Sequence, residues 1–375
     1  MILFNLKVCQ PVGDIKRHGG GVYGEIVLRR ILERGLPVSC YYDAQKWLNP
    51  DLKDMLCKYK IPLYNSNEYT LNESAVKCQA KKVYSPIDLG LDGITNCKSI
   101  VTLHGLRRIE LPPDLYFFKY KSTFKDKLKF IIKTLRSSHY KLLTKNALLD
   151  KNKVYVTVSE HSRDALKSYF PLLFKNKDIP VFYSPSTIGN SCINGHSFDE
   201  KYFLIVSAGI WAKNGLRAII ALDRLFSAGM IQDYYVRITG ISDSLVYKYK
   251  LQNPNKFHFM GYVEDNVLCQ LYHDAYCLIY PSLNEGFGYP PVEAMSFGIP
   301  VIASSFSSIS EICDYAALYL NPYSIEEIMN RIIKISIPDI HAEYSERAKK
   351  RYADVYRRQK EDLDGLVDFI YDYKP

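Results

Sequence analysis

The stretch from Ala275 to Ala303 constrains the fold more than any other part of the chain. Ala275-Tyr-Cys-Leu-Ile-Tyr280 is an apolar run of strand length, and Val301-Ile302-Ala303 is another. Between them Gly286 and Gly288 loosen the backbone, while Pro290 and Pro291 sit where a first helical turn tolerates proline. Val292 to Phe297 reads as helix and Gly298 as its stop. The pattern is strand, glycine-rich loop, helix, strand. It is one parallel α/β unit, with its loop at the carboxyl end of a strand where such sheets bind ligands.

Two carboxylates frame that loop, Glu285 within it and Glu293 eight residues later on the helix. The N–H groups of Phe287 to Tyr289 point out of the helix start and form an anion site. An anion flanked by two acceptors suits a phosphorylated, hydroxyl-rich ligand. The plain alternative is an ordinary α/β loop carrying two solvated glutamates.

The run Glu285-Gly-Phe-Gly-Tyr-Pro-Pro-Val-Glu293-Ala-Met resembles the E-x7-E signature of the retaining glycosyltransferases of family 4. The resemblance continues through Gly298-Ile-Pro-Val-Ile-Ala303, Ser307-Ser-Ile-Ser-Glu311 and Ala316-Ala-Leu-Tyr-Leu-Asn-Pro322. It implies a GT-B fold: two facing Rossmann-like α/β domains with the active site in a central cleft.

A length of 375 residues exceeds what one core usually serves, so two domains are expected. The boundaries read as 1–185 and 186–350, which the resemblance makes an N-terminal acceptor-side domain and a nucleotide-sugar-binding domain. Residues 351–375 read as a last helix, which the resemblance sends back to the first domain. An apolar content of 47% excludes a disordered chain. A net charge of +9 points to an anionic partner. Nine cysteines without a C-x-x-C pair read as reduced thiols, with neither a disulfide framework nor a zinc site. No apolar stretch reaches the roughly 18 residues that span a bilayer, and Met1 to Lys7 opens into a strand-like run with no leader. The expected location is cytoplasmic, at most peripheral to the inner face of a membrane.

Ile2 to Val8 reads as a buried first strand. Beyond a loop, Gly19, Gly21 and Gly24 satisfy G-x-G-x-x-G, and Asp43 follows the next strand. Alone, that pattern is the dinucleotide fingerprint of an NAD(P)-dependent oxidoreductase, the alternative activity. The fingerprint requires its first glycine directly after the strand, and here ten residues separate Val8 from Gly19. A longer loop before a glycine-rich helix start is also what the resembled family shows. Residues 46–96 give only short strands, near Ile61 to Tyr64 and Lys82 to Tyr84.

Ser99 to Leu103 is a strand that delivers His104 and Gly105 to a loop mouth. The residues alone leave His104 either structural or functional, and the resemblance places it near the donor sugar. Residues 119–153 carry eleven Lys and Arg against Asp126 and Asp150. Phe124, Leu128, Ile131, Ile132, Leu135 and Leu142 fall near helical spacing, so the segment is a basic amphipathic helix or pair. For most of its residues the reading is an apolar stripe packed on the core. The functional reading is docking on anionic membrane, beside a lipid-linked acceptor.

In the second half, Tyr202 to Ser207 is a strand followed by a loop that ends in Lys213-Asn214-Gly215, where a lysine before a helix neutralises a diphosphate. The resembled family usually carries an arginine ahead of this lysine. Here Ile210, Trp211 and Ala212 fill the loop, and Arg217, one turn into the helix, is the expected substitute. Asp362-Leu-Asp364 spells D-x-D inside a helix and reads as a solvated face, not a metal site.

The resemblance thus implies transfer of a hexose or deoxyhexose, with anomeric retention, from a nucleotide diphosphate sugar to an acceptor hydroxyl in surface polysaccharide or glycoconjugate assembly. The acceptor is a carbohydrate or lipid-linked saccharide. No cofactor, metal or nucleic acid is expected. Glu285, His104 and Lys213 are the expected catalytic residues. Donor binding is assigned to Gly20, Gly21, Lys213, Asn214, Arg217, Tyr262, Val263, Gly286, Phe287, Gly288, Tyr289 and Glu293. A non-catalytic nucleotide-sugar-binding relative is the remaining alternative.

Overall fold

The computed structural model describes all residues except 14–17, 90, 92, 93, 95, 112, 113, 121, 122, 136, 187–199 and 375. In chain order the first elements are β1 (Ile2–Asn5), α1 (Gly19–Glu33), β2 (Val38–Tyr42), α2 (Pro50–Lys58), β3 (Leu63–Asn65), α3 (Leu71–Lys77), β4 (Lys82–Ser85) and β5 (Lys98–Leu103). Then come α4 (Arg107–Glu110), α5 (Phe117–Tyr120), α6 (Phe124–Leu135), α7 (Ser137–Leu148), β6 (Lys153–Thr157), α8 (Glu160–Tyr169) and α9 (Pro171–Phe174). The second half holds β7 (Tyr202–Ile205), α10 (Gly215–Ser227), β8 (Tyr235–Ile238), β9 (Phe257–Phe259), α11 (Asp265–His273), β10 (Cys277–Tyr280) and α12 (Tyr289–Ser296). It closes with β11 (Val301–Ser304), α13 (Ser308–Cys313), β12 (Ala317–Leu320), α14 (Ile325–Ile335) and α15 (Pro338–Asp372).

The strands form two six-stranded sheets, ordered β3-β2-β1-β4-β5-β6 and β12-β11-β10-β7-β8-β9, and every pairing is parallel. Counted from its own first strand, each sheet has the same order, 3-2-1-4-5-6. The central strands are buried along their whole length, as expected where helices cover both faces. This is the GT-B class of α/β fold.

The chain divides into two compact units. One comprises Met1–Leu106, Leu143–Thr187 and Arg357–Pro375, the other Arg107–Leu142 and Ile188–Tyr356. The span 1–185 is therefore interrupted, because residues 107–142 group with the second sheet. Tyr116 and Tyr120 of this segment pack on the second unit's core around Phe203, Leu216, Ile219 and Ile238. α15 begins in the second unit and ends in the first.

In the first unit, β1 stops at Asn5 instead of reaching Val8, and Leu6–Cys9 turns as a 3-10 helix. α1 starts at Gly19, so the glycine-rich run is the helix's own first turns. A Cβ at Gly21 would lie 2.6 Å from the Cys9 carbonyl oxygen, and one at Gly24 would lie 2.3 Å from Cys9 Sγ. Close approach of helix to turn thus explains Gly21 and Gly24 without a dinucleotide, while a Cβ at Gly19 would meet nothing. The weakly read 46–96 region holds two real helices. Asn49 caps α2, and Thr70 with Glu73 closes a capping box on α3.

Three further expectations change. Asp362 and Asp364 are more than a solvated face: Asp362 is 20% exposed and accepts the Tyr183 N–H at 2.8 Å, and Asp364, still 44% exposed, is gripped by Arg30 at 2.6 and 2.9 Å. The basic segment is a helix pair, α6 and α7, but five of the residues expected to pack inward do not. Phe124 is 80% exposed, and Leu128, Ile131, Ile132 and Leu142 are exposed as well. Lys121 and Arg136 lie outside the described residues, as do the side chains of Asp126, Lys129, Lys133 and Leu135. Cys269 is disulfide-bonded, against the expectation of thiols throughout, while the other described cysteines are free. Sequence spacing holds no local pair that would have shown it.

Candidate active site

In the second sheet the strand order reverses between the neighbours β7 and β10. Loops at such a switch point part to opposite faces and leave a crevice at the strands' carboxyl ends. The loop after β7 carries Lys213, and the loop after β10 carries Glu285. Two backbone-level contacts tie the loops together: the Leu283 N–H donates to the Ala212 carbonyl at 2.7 Å, and Ser282 Oγ lies 3.1 Å from the same oxygen.

Glu285 is the centre of this arrangement. Its Oε1 takes Lys213 Nζ at 2.7 Å, the Tyr280 hydroxyl at 2.8 Å and Ser282 Oγ at 2.5 Å, while Oε2 takes Arg107 Nη2 at 3.0 Å. Its own N–H donates to Ser307 Oγ at 2.8 Å, and Ser308 Oγ lies 3.0 Å from its carbonyl oxygen. The side chain is only 7% exposed. Burial alone would raise its pKa, but the charges of Lys213 and Arg107, with the Lys213 and Ser282 hydrogen bonds, bring it down to about 2. Lys213 feels burial in the opposite sense: desolvation lowers its pKa, and Glu285 holds the proton on. The carboxylate, bound by two cations and two hydroxyls, sets the charge state, and the ammonium stays paired beside it. Tyr280 remains a neutral phenol, raised first by burial and then by Glu285.

The expected donor-binding residues divide into those that reach this centre and those that do not. Asn214 turns inward, its Nδ2 donating to Pro281 O at 3.1 Å and Pro322 O at 2.6 Å. Its Oδ1 accepts from Arg217 at 2.8 Å, so every polar atom of the side chain is committed to the scaffold. Arg217 is likewise unavailable as a substitute phosphate ligand. Asp114 forks its Nη1 and Nη2 at 2.8 and 2.9 Å, the two side chains are 5% and 8% exposed, and the guanidinium lies 3.7 Å over the Tyr116 ring. The residue that sequence reasoning missed is Arg107. Its signal was a pair of arginines directly after His104-Gly105-Leu106, in a segment without a readable motif.

Gly288 takes φ +107° and precedes α12, as a glycine in the loop foretold. The helix begins at Tyr289, earlier than Val292. Pro290 and Pro291 lack N–H groups, so the donors at this helix start narrow to Phe287, Gly288 and Tyr289. Phe287 is buried, and its carbonyl is held by Ser308 Oγ at 2.9 Å. Gly286 lies between these residues and Glu285. Glu293, on α12, contributes to holding the Lys213 proton and to raising the buried Tyr272 phenol. Tyr262 follows Gly261 and is 67% exposed, beside a half-buried Val263.

In the first unit, His104 stands past the end of β5, its Nε2 2.8 Å from the Pro86 carbonyl oxygen and its ring edge-on to Tyr23. A carbonyl only accepts, so Nε2 carries the proton and Nδ1 the lone pair. Burial lowers its pKa to about 4, and the ring is neutral at pH 7. The Gly21 N–H, expected on a phosphate, donates instead to His18 Nδ1 at 3.1 Å as the cap of α1. Gly20 lies against Ile87, which a Cβ would meet at 2.7 Å.

Among the described residues, no group of three or more His, Cys, Asp or Glu is disposed to hold a metal ion. No described helix is long and apolar enough to cross a membrane.

A doubly repeated Rossmann-like sheet, with a buried lysine–glutamate pair at the second switch point, defines a protein of the GT-B class. Residues 192–351 match the family model described as Glycosyl transferases group 1. The chain is 32% identical over 176 residues to the O-antigen chain mannosyltransferase RfbU of Salmonella typhimurium, a match covering 44% of this chain and 46% of that protein. The chain thus spans less than half the length of this relative. In fold it is similar to sucrose-phosphate synthase from Thermosynechococcus elongatus, at a TM-score of 0.67 and 16% identity over 99% of this chain and 98% of that one. It is also similar to Anabaena HepE in complex with UDP-glucose, at a TM-score of 0.64 and 16% identity over 97% and 98% of the two chains. None of these matches supports the oxidoreductase alternative.

Proposed function

We propose that the protein is a glycosyltransferase that moves a hexose, mannose by analogy with RfbU, from a nucleotide diphosphate sugar to a hydroxyl of a saccharide acceptor, with retention at the anomeric carbon. The observation that carries this reading is the ionised, buried Glu285 held between Lys213 and Arg107 at the switch point. Breaking the sugar–phosphate bond leaves negative charge on the diphosphate and an oxocarbenium-like sugar. Fixed cations stabilise the first and a fixed carboxylate the second, in a buried setting where charges act strongly. Lys213 takes the leaving diphosphate. Glu285 takes sugar hydroxyls and faces the developing positive charge, and Glu293 holds the ribose. His104, neutral and with Nδ1 as acceptor, orients the sugar. The departing phosphate oxygen takes the acceptor's proton, so the reaction needs no metal.

The setting we propose is polysaccharide assembly, by analogy with RfbU, whose name is O-antigen chain mannosyltransferase. The exposed apolar residues of α6, interleaved with lysines, suit an anionic membrane surface that carries a lipid-linked acceptor. HepE, a structural neighbour, is seen with UDP-glucose, which supports the donor class and leaves the base of this chain's donor to experiment.

A thermal-shift screen of UDP-, GDP-, dTDP- and ADP-sugars, with NAD(P)H included, tests the reading. Stabilisation by one nucleotide sugar is expected. Glu285→Ala should then remain folded, at a lowered melting temperature because Lys213 loses its buried counter-ion, with the acceptor reaction lost. Stabilisation by NAD(P)H alone, or full turnover in Glu285→Ala, overturns it.

A further inference from the structure

We infer that Arg107 is a second diphosphate-binding cation of the site, delivered by the 107–120 segment and not by the loop that carries Lys213. The inference rests on the donor class proposed above and goes beyond it by naming a residue outside the matched 192–351 region.

Three cationic side chains lie around the Lys213 loop, and their hydrogen-bonding states differ. Lys213 is 12% exposed, with Nζ shared between Glu285 Oε1 at 2.7 Å and the Tyr280 hydroxyl at 2.6 Å. Arg217 is held by Asp114 through both terminal nitrogens, is 5% exposed and is stacked on Tyr116. Arg107 is 43% exposed and touches Glu285 through Nη2 alone. A guanidinium offers five N–H donors in a planar fork that matches phosphate oxygens, so this side chain can keep Glu285 and still take a phosphate. Lys213 and Arg107 together outweigh the one carboxylate between them.

The segment that delivers Arg107 is tied down at Glu110, Asp114, Phe117 and Tyr120. Asp114 clamps Arg217, and Asn284 Nδ2 donates to Glu110 Oε2 at 3.2 Å. The Tyr120 hydroxyl accepts the Leu216 N–H at 2.9 Å, in the first turn of α10. The Phe117 ring meets Trp211 edge-on at 5.1 Å, and Tyr120 meets Tyr247 at 4.7 Å. These contacts give Arg217 its role, as the anchor for the strap that presents Arg107. They also explain how the loop of Ile210, Trp211 and Ala212 manages without a charge: its Trp211 is used to seat the strap.

Calorimetry on the full chain tests this, with the nucleoside diphosphate chosen by the donor screen and the matching nucleoside monophosphate as ligands. Arg107→Ala should weaken the diphosphate about tenfold or more, as loss of charge-assisted hydrogen bonds implies. The monophosphate should be weakened less. Arg107→Lys, which keeps the charge and loses the fork, should fall between wild type and Arg107→Ala. Equal losses for the two ligands, or a diphosphate affinity within twofold of wild type in both variants, overturn the inference and leave the proposed function standing. Wild-type protein that binds no nucleoside diphosphate overturns both.

Discussion

Lys213 and Glu285 meet through a single oxygen: Nζ sits 2.7 Å from Oε1, which also takes the Tyr280 hydroxyl at 2.8 Å. Oε2 is left to Arg107, at 3.0 Å. One carboxylate therefore joins two cations that arrive from different parts of the chain. Its charge is a property of the fold as much as of the chemistry.

The first prediction concerns pH. The Glu285 pKa is depressed from 4.5 to about 2 in the folded protein, so the unfolded chain binds the proton first as pH falls. The stability it contributes is present above about pH 4.5 and is lost as pH falls from there towards 2, amounting to about 3 kcal/mol. Urea unfolding at neutral and acid pH measures it. Trp47 and Trp211 lie in different units, so a Trp47→Phe background leaves Trp211 to report on the unit that holds Glu285. Glu285→Gln should flatten the acid dependence, and an unchanged slope would remove Glu285 as its source.

A second prediction follows from the buried clamp. Arg217→Ala leaves Asp114 buried without its cation, at a cost of about 3 kcal/mol in the second unit. Replacing both partners by apolar residues, as Asp114→Leu with Arg217→Met, should cost clearly less than the two single changes added together. Additive losses in a double-mutant cycle would show that the pair is not coupled.

The third concerns the basic helices. Phe124→Asp should reduce co-sedimentation with anionic vesicles at low salt, and raised salt should release the wild type. Vesicles of neutral lipid serve as the comparison. No sedimentation of the wild type on anionic vesicles would leave the exposed face of α6 without a membrane role.

Legibility in the sequence followed locality. The strand–loop–helix around Glu285 was readable because its signals, glycine at positive φ, proline in a first turn and a buried apolar strand, act within a few residues. Lys213 was readable for the same reason. The caps of α2 and α3, Asn49 and the Thr70–Glu73 box, were present in the sequence but drowned by weak apolar periodicity around them. The G-x-G-x-x-G run kept an oxidoreductase alternative open because a glycine demanded by helix packing against Cys9, as at Gly21 and Gly24, is indistinguishable, as a letter, from one demanded by a phosphate. Arg107, Asp114 and the commitment of Asn214 were invisible. Each depends on partners far away in the chain, such as Glu285 to Arg107, 178 residues apart, and no local pattern encodes such a meeting.

The same strand order appears twice, so the chain owns two independent points at which a sheet parts its loops. The family match falls wholly on residues 192–351, among the loops of the second. A scaffold of this kind can inherit one half of its chemistry intact while the other half is rewritten. Exchanging loops on the first sheet would leave Lys213, Glu285 and Arg107 where they stand, because all three belong to the second unit.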